Sequence, residues 1–200
     1  RAASRSRQRT SPNDGVSAGA GSAVAWGGPK ANPLSPSTDA EKNPEALRKT
    51  LMNALVSLYT DRIKPWANYV KGRLKEMVCS ESIVKYFTEH FEEHPDLFKV
   101  QRPSDNEEAV FFLIDEPSWF KGWIDIDSPD DPYSEEMWEE FTKFLTKDHT
   151  FIGGRYGMAC ELMQAKLDFF AGFCLGEICH IVQLAIQSRK LIVYHRKMLK

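Results

Sequence analysis

Phe173-Cys174-Leu175-Gly176-Glu177-Ile178-Cys179-His180-Ile181-Val182-Gln183-Leu184-Ala185-Ile186 leads through Gln187-Ser188 into Arg189-Lys190-Leu191-Ile192-Val193-Tyr194-His195-Arg196-Lys197. Ile178, Ile181, Val182, Ala185 and Ile186 return at helical spacing, so the first part is a helix with a wide apolar face. The run 191–194 is rich in β-formers and ends in a basic tip. A buried helix feeding a strand with a basic tip is the closing half of a winged-helix unit. No catalytic motif competes with it, so function has to be argued from surfaces.

Working outward, the apolar content, 42% of 200 residues, supports a real core but not along the whole length. Residues 1–44 are dominated by Gly, Pro, Ser, Ala, Asn and Asp, with Trp26 their one aromatic residue. Such a stretch buries too little apolar surface to offset its ordering entropy and reads as a disordered arm. Its Arg1, Arg5, Arg7 and Arg9, set among Ser and Thr, fit a solvated basic linker better than a phosphate-binding tail. Because the chain opens on Arg1, it reads as a piece of a longer protein.

The net charge of −2 hides a polarity. Between Asp105 and Glu140 there are thirteen acidic residues and one basic residue, Lys121. From Arg62 to Lys75, and again from Arg189 to Lys200, there are five basic residues and no acidic one. Faces of opposite sign suit a polyanion on one side only. No apolar run reaches the roughly 18 residues of a membrane span, and no stretch shows a signal-peptide pattern. Cys79, Cys160, Cys174 and Cys179 lack paired spacing and read as free thiols in a reducing compartment. That compartment is taken as the cytoplasm, including ribonucleoprotein granules, with the nucleus as the alternative.

In chain order, Leu47, Leu51, Ala54, Leu55 and Leu58 predict a helix over 47–63. Pro65 suits the first turn of a second helix, with Trp66, Tyr69, Val70, Leu74 and Met77 inward. Ser80 caps a third, whose Ile83, Val84, Phe87 and Phe91 face the core. Strands 97–100 and 109–114, joined by a polar loop, complete a hairpin. Three helices and a hairpin make a winged-helix-like unit over 45–114. Residues 115–133 form an acidic linker whose Trp119, Phe120 and Trp123 pack back on the core. Ser134 caps a helix to about Leu145; 151–157 is a loop, and a further helix spans 158–168. The fold class is therefore mainly α with small β-hairpins (α+β), and 134–200 forms a helical unit ending in the helix–strand element.

Chemistry-bearing constellations are weak. Cys174, Cys179 and His180 lack the C-x2-C pairing of a zinc site. Asp125 to Glu136 resembles a calcium loop but carries Pro129 and Asp130 where a ligand and the turn glycine belong. No nucleophile motif or phosphate-cradling loop of known spacing appears, so no enzyme activity, cofactor or metal is expected. Binding has better support. Arg62, Lys64, Lys71, Arg73 and Lys75 can neutralise phosphates. Arg189, Lys190, Arg196 and Lys197, beside Tyr194 and His195, add charge and stacking rings. Glu81, Lys85, Glu89, Glu92 and Glu93 on the outside of the third helix oppose insertion into a DNA major groove.

The stretch Phe173-x-Leu175-Gly176-Glu177-Ile178-Cys179-His180-Ile181-Val182-Gln183-Leu184-Ala185-Ile186, with Lys190-Leu191-Ile192-Val193-Tyr194, resembles the OST-HTH-associated domain. The resemblance is clearest over 165–200 and fainter over 47–164, and it makes the first winged unit either a LOTUS-like (OST-HTH) domain or part of the same associated domain. It implies RNA binding and ribonucleoprotein assembly, with no catalytic residues. For some LOTUS domains it implies a DEAD-box helicase as partner. The expectation is a noncatalytic RNA-binding module of a larger protein, acting in post-transcriptional regulation. The alternatives are a protein adaptor of the helicase-binding kind and, below it, a nuclear DNA-binding regulator.

Overall fold

Asn43 opens the folded part: its side-chain oxygen accepts from the Glu45 N–H, and Pro44 takes the first helical position. The computed structural model describes residues 43–77, 79–104, 107–147, 151–195 and 198–199. Most of the arm expected over 1–44 lies outside them. Helix α1 (Pro44–Thr60) buries Leu51, Ala54, Leu55, Leu58 and Tyr59. Its end is a Schellman turn, in which the Arg62 N–H donates to Tyr59 O and the Ile63 N–H to Leu58 O. Arg62 takes φ +56 there, a left-handed conformation unusual for a residue with a Cβ.

Residues 65–66 are extended rather than helical. The Ala67 N–H donates to Ala109 O and the Phe111 N–H to Pro65 O, so this segment lies along the hairpin edge. Helix α2 (Ala67–Glu76) therefore starts two residues beyond Pro65, with Trp66 at its cap. The third predicted helix is two short ones, α3 (Glu81–Lys85) and α4 (Phe87–Glu92), separated at Tyr86. Ser80 caps the first through the Ile83 N–H. Phe87 and Phe91 pack on Phe111 at 5.4 and 4.9 Å between ring centres. Strands β1 (Phe98–Gln101) and β2 (Val110–Leu113) form the antiparallel hairpin, Phe98 opposite Leu113. The order helix, helix, helix, hairpin matches the sequence expectation, and the fold is mainly α with small antiparallel sheets.

Between β2 and α5 (Glu135–Leu145), residues 114–134 run without regular structure as a strap across the molecule. Phe120 and Trp123 pack edge-on against Tyr59, at 4.7 and 4.5 Å. Trp119 does not pack as expected: it is 51% exposed. Ser134 caps α5, which buries Met137, Trp138 and Phe141.

The loop expected over 151–157 is instead strand β3 (Phe151–Ile152) and the first turn of α6 (Gly154–Gln164). Gly153 makes this sharp entry possible with φ +93; a Cβ there would touch the Gly157 backbone at 3.4 Å. A short 3-10 turn (Asp168–Phe170) and Gly172, at φ +88, lead into α7 (Leu175–Gln187). Of its thirteen residues, ten are buried, including His180 and Gln183, so α7 is the central rod of the core. The strand expected over 191–194 begins only at β4 (Tyr194–His195). Leu191 folds back instead, its N–H donating to Ala185 O at the helix end. β5 (Met198–Leu199) lies between β3 and β4 in an antiparallel sheet that ties the C-terminal hairpin to 151–152. Among the described residues, no helix is long and apolar enough to cross a membrane.

Candidate nucleic-acid interface

Three polar residues of α7, Glu177, His180 and Gln183, recur at i, i+3, i+6 and face the strap rather than water. Glu177 accepts from the Cys174 N–H at 2.8 Å and pairs with Arg62 at 3.3 Å. The buried His180 ring lies 2.9 Å from the Tyr133 hydroxyl on one side and 3.0 Å from Ser128 O on the other. The Gln183 amide donates to Asp127, and its carbonyl oxygen accepts from Arg155, which itself pairs with Asp127 at 2.9 Å. The polar side chains that α7 takes out of water are thus matched by the strap, by Arg62 and by Arg155, which avoids the cost of an unmet buried group.

Strap, α6 and the lead into α2 enclose a cleft of about 700 Å3. Trp66, Asn68 and Tyr69 form one wall, Trp123, Asp125 and Asp127 another, and Arg155 and Tyr156 a third. Cys179 of α7 closes the bottom beside Ile63. Three anchors hold these walls. Residues 65–67 follow the hairpin edge. The Ile124 N–H donates to Arg62 O, and Arg62 Nε donates to Gly122 O, both at 2.9 Å. Tyr69 and Tyr156 face each other at 5.9 Å. Burial pushes both phenols above their ordinary value, so they stay neutral donors.

The basic residues nominated from the sequence divide into two groups. Arg62 is spent on the Gly122 and Lys121 carbonyls and on Glu177. Arg73 is half of a recessed network: one guanidinium nitrogen donates to Asp61 and another to Glu76 at 3.3 Å. Its Nε is buried with no hydrogen-bond partner among the described residues. Burial pushes both the Asp61 and Glu76 carboxyls up, while Arg73 opposes the rise. Arg189 lies over the Trp138 ring at 4.3 Å and holds Asp131 at 2.8 Å and Glu135 at 2.7 Å. The C-terminal basic run and the acidic segment are therefore not two separate faces at this point; they neutralise each other.

Lys71 and Lys75 are exposed, as is Asn68, and the three share one stripe of α2. Lys64 precedes it, its ammonium 4.7 Å from the Trp66 ring centre. Among the described residues, no ion pair holds Lys64, Lys71 or Lys75. Lys190, at φ +55, is exposed on the far side of the Arg189 cluster in sequence. Tyr194 and His195 contribute backbone to β4, while Arg196 and Lys197 lie outside the described residues. The outer residues of α3 and α4, Glu81, Lys85, Glu89 and Glu92, are exposed, and Glu92 pairs with Arg102.

Sequence reading did not single out Trp66, Asn68, Tyr69, Trp123, Arg155 or Tyr156 as one group. The local signal was an aromatic residue set directly beside a basic run, in Lys64-Pro65-Trp66. Their convergence depends on the strap crossing α1, which no local pattern encodes. The thiols take no reactive form: burial pushes Cys79, Cys160 and Cys174 up to about 11 and Cys179 further still.

Residues 146–200 match the family model of the OST-HTH Associated domain, in agreement with the resemblance carried by 173–194. Residues 35–122 match a family described as Domain of unknown function (DUF7602). No curated protein and no solved structure matches the chain. The cleft is lined by both matched regions and by the strap between them.

Proposed function

We propose that this chain is a noncatalytic RNA-binding module acting in post-transcriptional regulation or ribonucleoprotein assembly, with the lysine stripe of α2 as its phosphate contact. The observation that carries the reading is how the cations are sorted. Arg62, Arg73 and Arg189 are consumed by internal carboxylates and carbonyls, whereas Lys64, Lys71 and Lys75 remain on one side beside an aromatic cleft. Lysines one helical turn apart, about 6 Å along the axis, hold a flexible phosphate backbone without demanding duplex geometry. The acidic outer face of α3 and α4 speaks against insertion into a DNA major groove. The OST-HTH Associated match adds a domain context in keeping with RNA. Lys190 is a further exposed cation open to phosphate.

The test is charge reversal. Lys64→Glu, Lys71→Glu and Lys75→Glu together lower affinity for a labelled single-stranded 12-nucleotide RNA by at least tenfold at 50 mM salt. Unchanged affinity in that variant would refute the reading. If the wild type binds no RNA, the adaptor role, with a DEAD-box helicase or another protein as partner, replaces it.

A further inference from the structure

We infer that the cleft beside the lysine stripe is a nucleobase pocket, taking one unstacked base from the strand that the lysines hold; this rests on the RNA-binding reading. At about 700 Å3 it has room for a base and its ribose and falls within the size range of small-ligand sites, roughly 300–1,000 Å3. Its walls carry the two elements by which proteins hold single-stranded bases: a ring to stack on and polar atoms that reach the base edge.

Trp66 is the stacking platform. Both rings are partly buried, but Trp123 is already engaged by Tyr59 and Phe120 at 4.5 and 4.3 Å, whereas Trp66 has the Lys64 ammonium over its ring. A cation on an exposed ring holds less strongly than a stacked base, so Lys64 moves from the ring to the phosphate that enters with the base. The edge-reading atoms are complementary. Asn68 spends its oxygen on the Tyr69 N–H, which leaves its amide hydrogens to donate. Asp125 accepts from the Asp127 N–H and retains lone pairs for a base N–H. One donor and one acceptor at the rim suit a base edge, which presents both.

Two oligomers of equal charge decide the point: a single-stranded 12-nucleotide RNA and its abasic counterpart, titrated into the full chain at one salt concentration. The wild type binds the base-bearing strand about tenfold more tightly, and Trp66→Ala abolishes the difference. Asn68→Ala, at an exposed position, reduces the difference without a risk to folding. Equal wild-type affinity for the two strands overturns the pocket and leaves the lysine contact standing. If neither strand binds, the RNA-binding reading falls, and the four nucleoside 5′-monophosphates decide the pocket by ligand-observed magnetic resonance. A signal lost in Asn68→Ala and Trp66→Ala upholds the pocket, and a signal absent or unaffected overturns it.

Discussion

Gly176 shows how one missing Cβ positions the whole terminal helix. Its N–H donates to Asp61 O at 2.8 Å, and a Cβ built there would lie 2.6 Å from that oxygen and 3.2 Å from Arg62 O. Both contacts are backbone, so neither can swing aside. Gly176→Ala is expected to destabilise by about 1–3 kcal/mol, outweighing the roughly 1 kcal/mol that alanine adds to a helix interior. Gly72, inside α2, has no atom within 4 Å of the same position. Gly72→Ala should therefore stabilise by about 0.5–1 kcal/mol, and urea unfolding of the two variants should give opposite signs. The cysteines make a second residue-scale test. With three thiols raised to about 11 by burial, alkylation by iodoacetamide at pH 8 should be slow at Cys79, Cys160 and Cys174. The buried Cys179 should react only on unfolding.

At the scale of elements, the apolar period was legible and the polar contacts were not. Ile178, Ile181, Val182 and Ala185 announce α7 as core, and Ser80 and Ser134 cap α3 and α5 as their residue type implies. Glu177 bonds locally to the Cys174 N–H, but His180 and Gln183 have no local partner in sequence; theirs include Ser128 and Asp127 on the strap, some fifty residues earlier. The same distance hid the fate of Arg189. In sequence it stood in a basic run, whereas in the fold it spans Asp131 and Glu135 over Trp138. Likewise Gly153-Gly154 suggests a loop at the entry into α6, although left-handed Gly153 starts the helix. The Arg189 hydrogen bond holds the Glu135 carboxyl below its usual 4.5. Burial works against the same effect at Asp131, but bonds from Arg189, Trp138 and Tyr133 still hold it below 3.8. Depressed carboxyl values contribute stability that is complete above the unfolded value and is lost as pH falls through the folded one. Arg189→Gln should return Glu135 toward 4.5 in a carbon-detected titration and flatten the loss of stability below that pH.

At the scale of the whole molecule, the chain closes around α7, with α1 and its Schellman turn seated on the helix start and the strap along its polar stripe. This arrangement commits Arg62, Arg73 and Arg189 to structure and leaves Lys64, Lys71 and Lys75 without an ion pair among the described residues, a division that composition could not reveal because both types count equally toward net charge. The account therefore turns on whether Lys64, Lys71 and Lys75 meet phosphates. The most direct measurement is the slope of log affinity against log salt for single-stranded RNA, wild type against the triple Lys→Gln variant. Each lost phosphate contact removes about 0.7 from the slope on a single strand, so the triple variant should be shallower by about 2. A wild type and variant with the same slope would contradict the account.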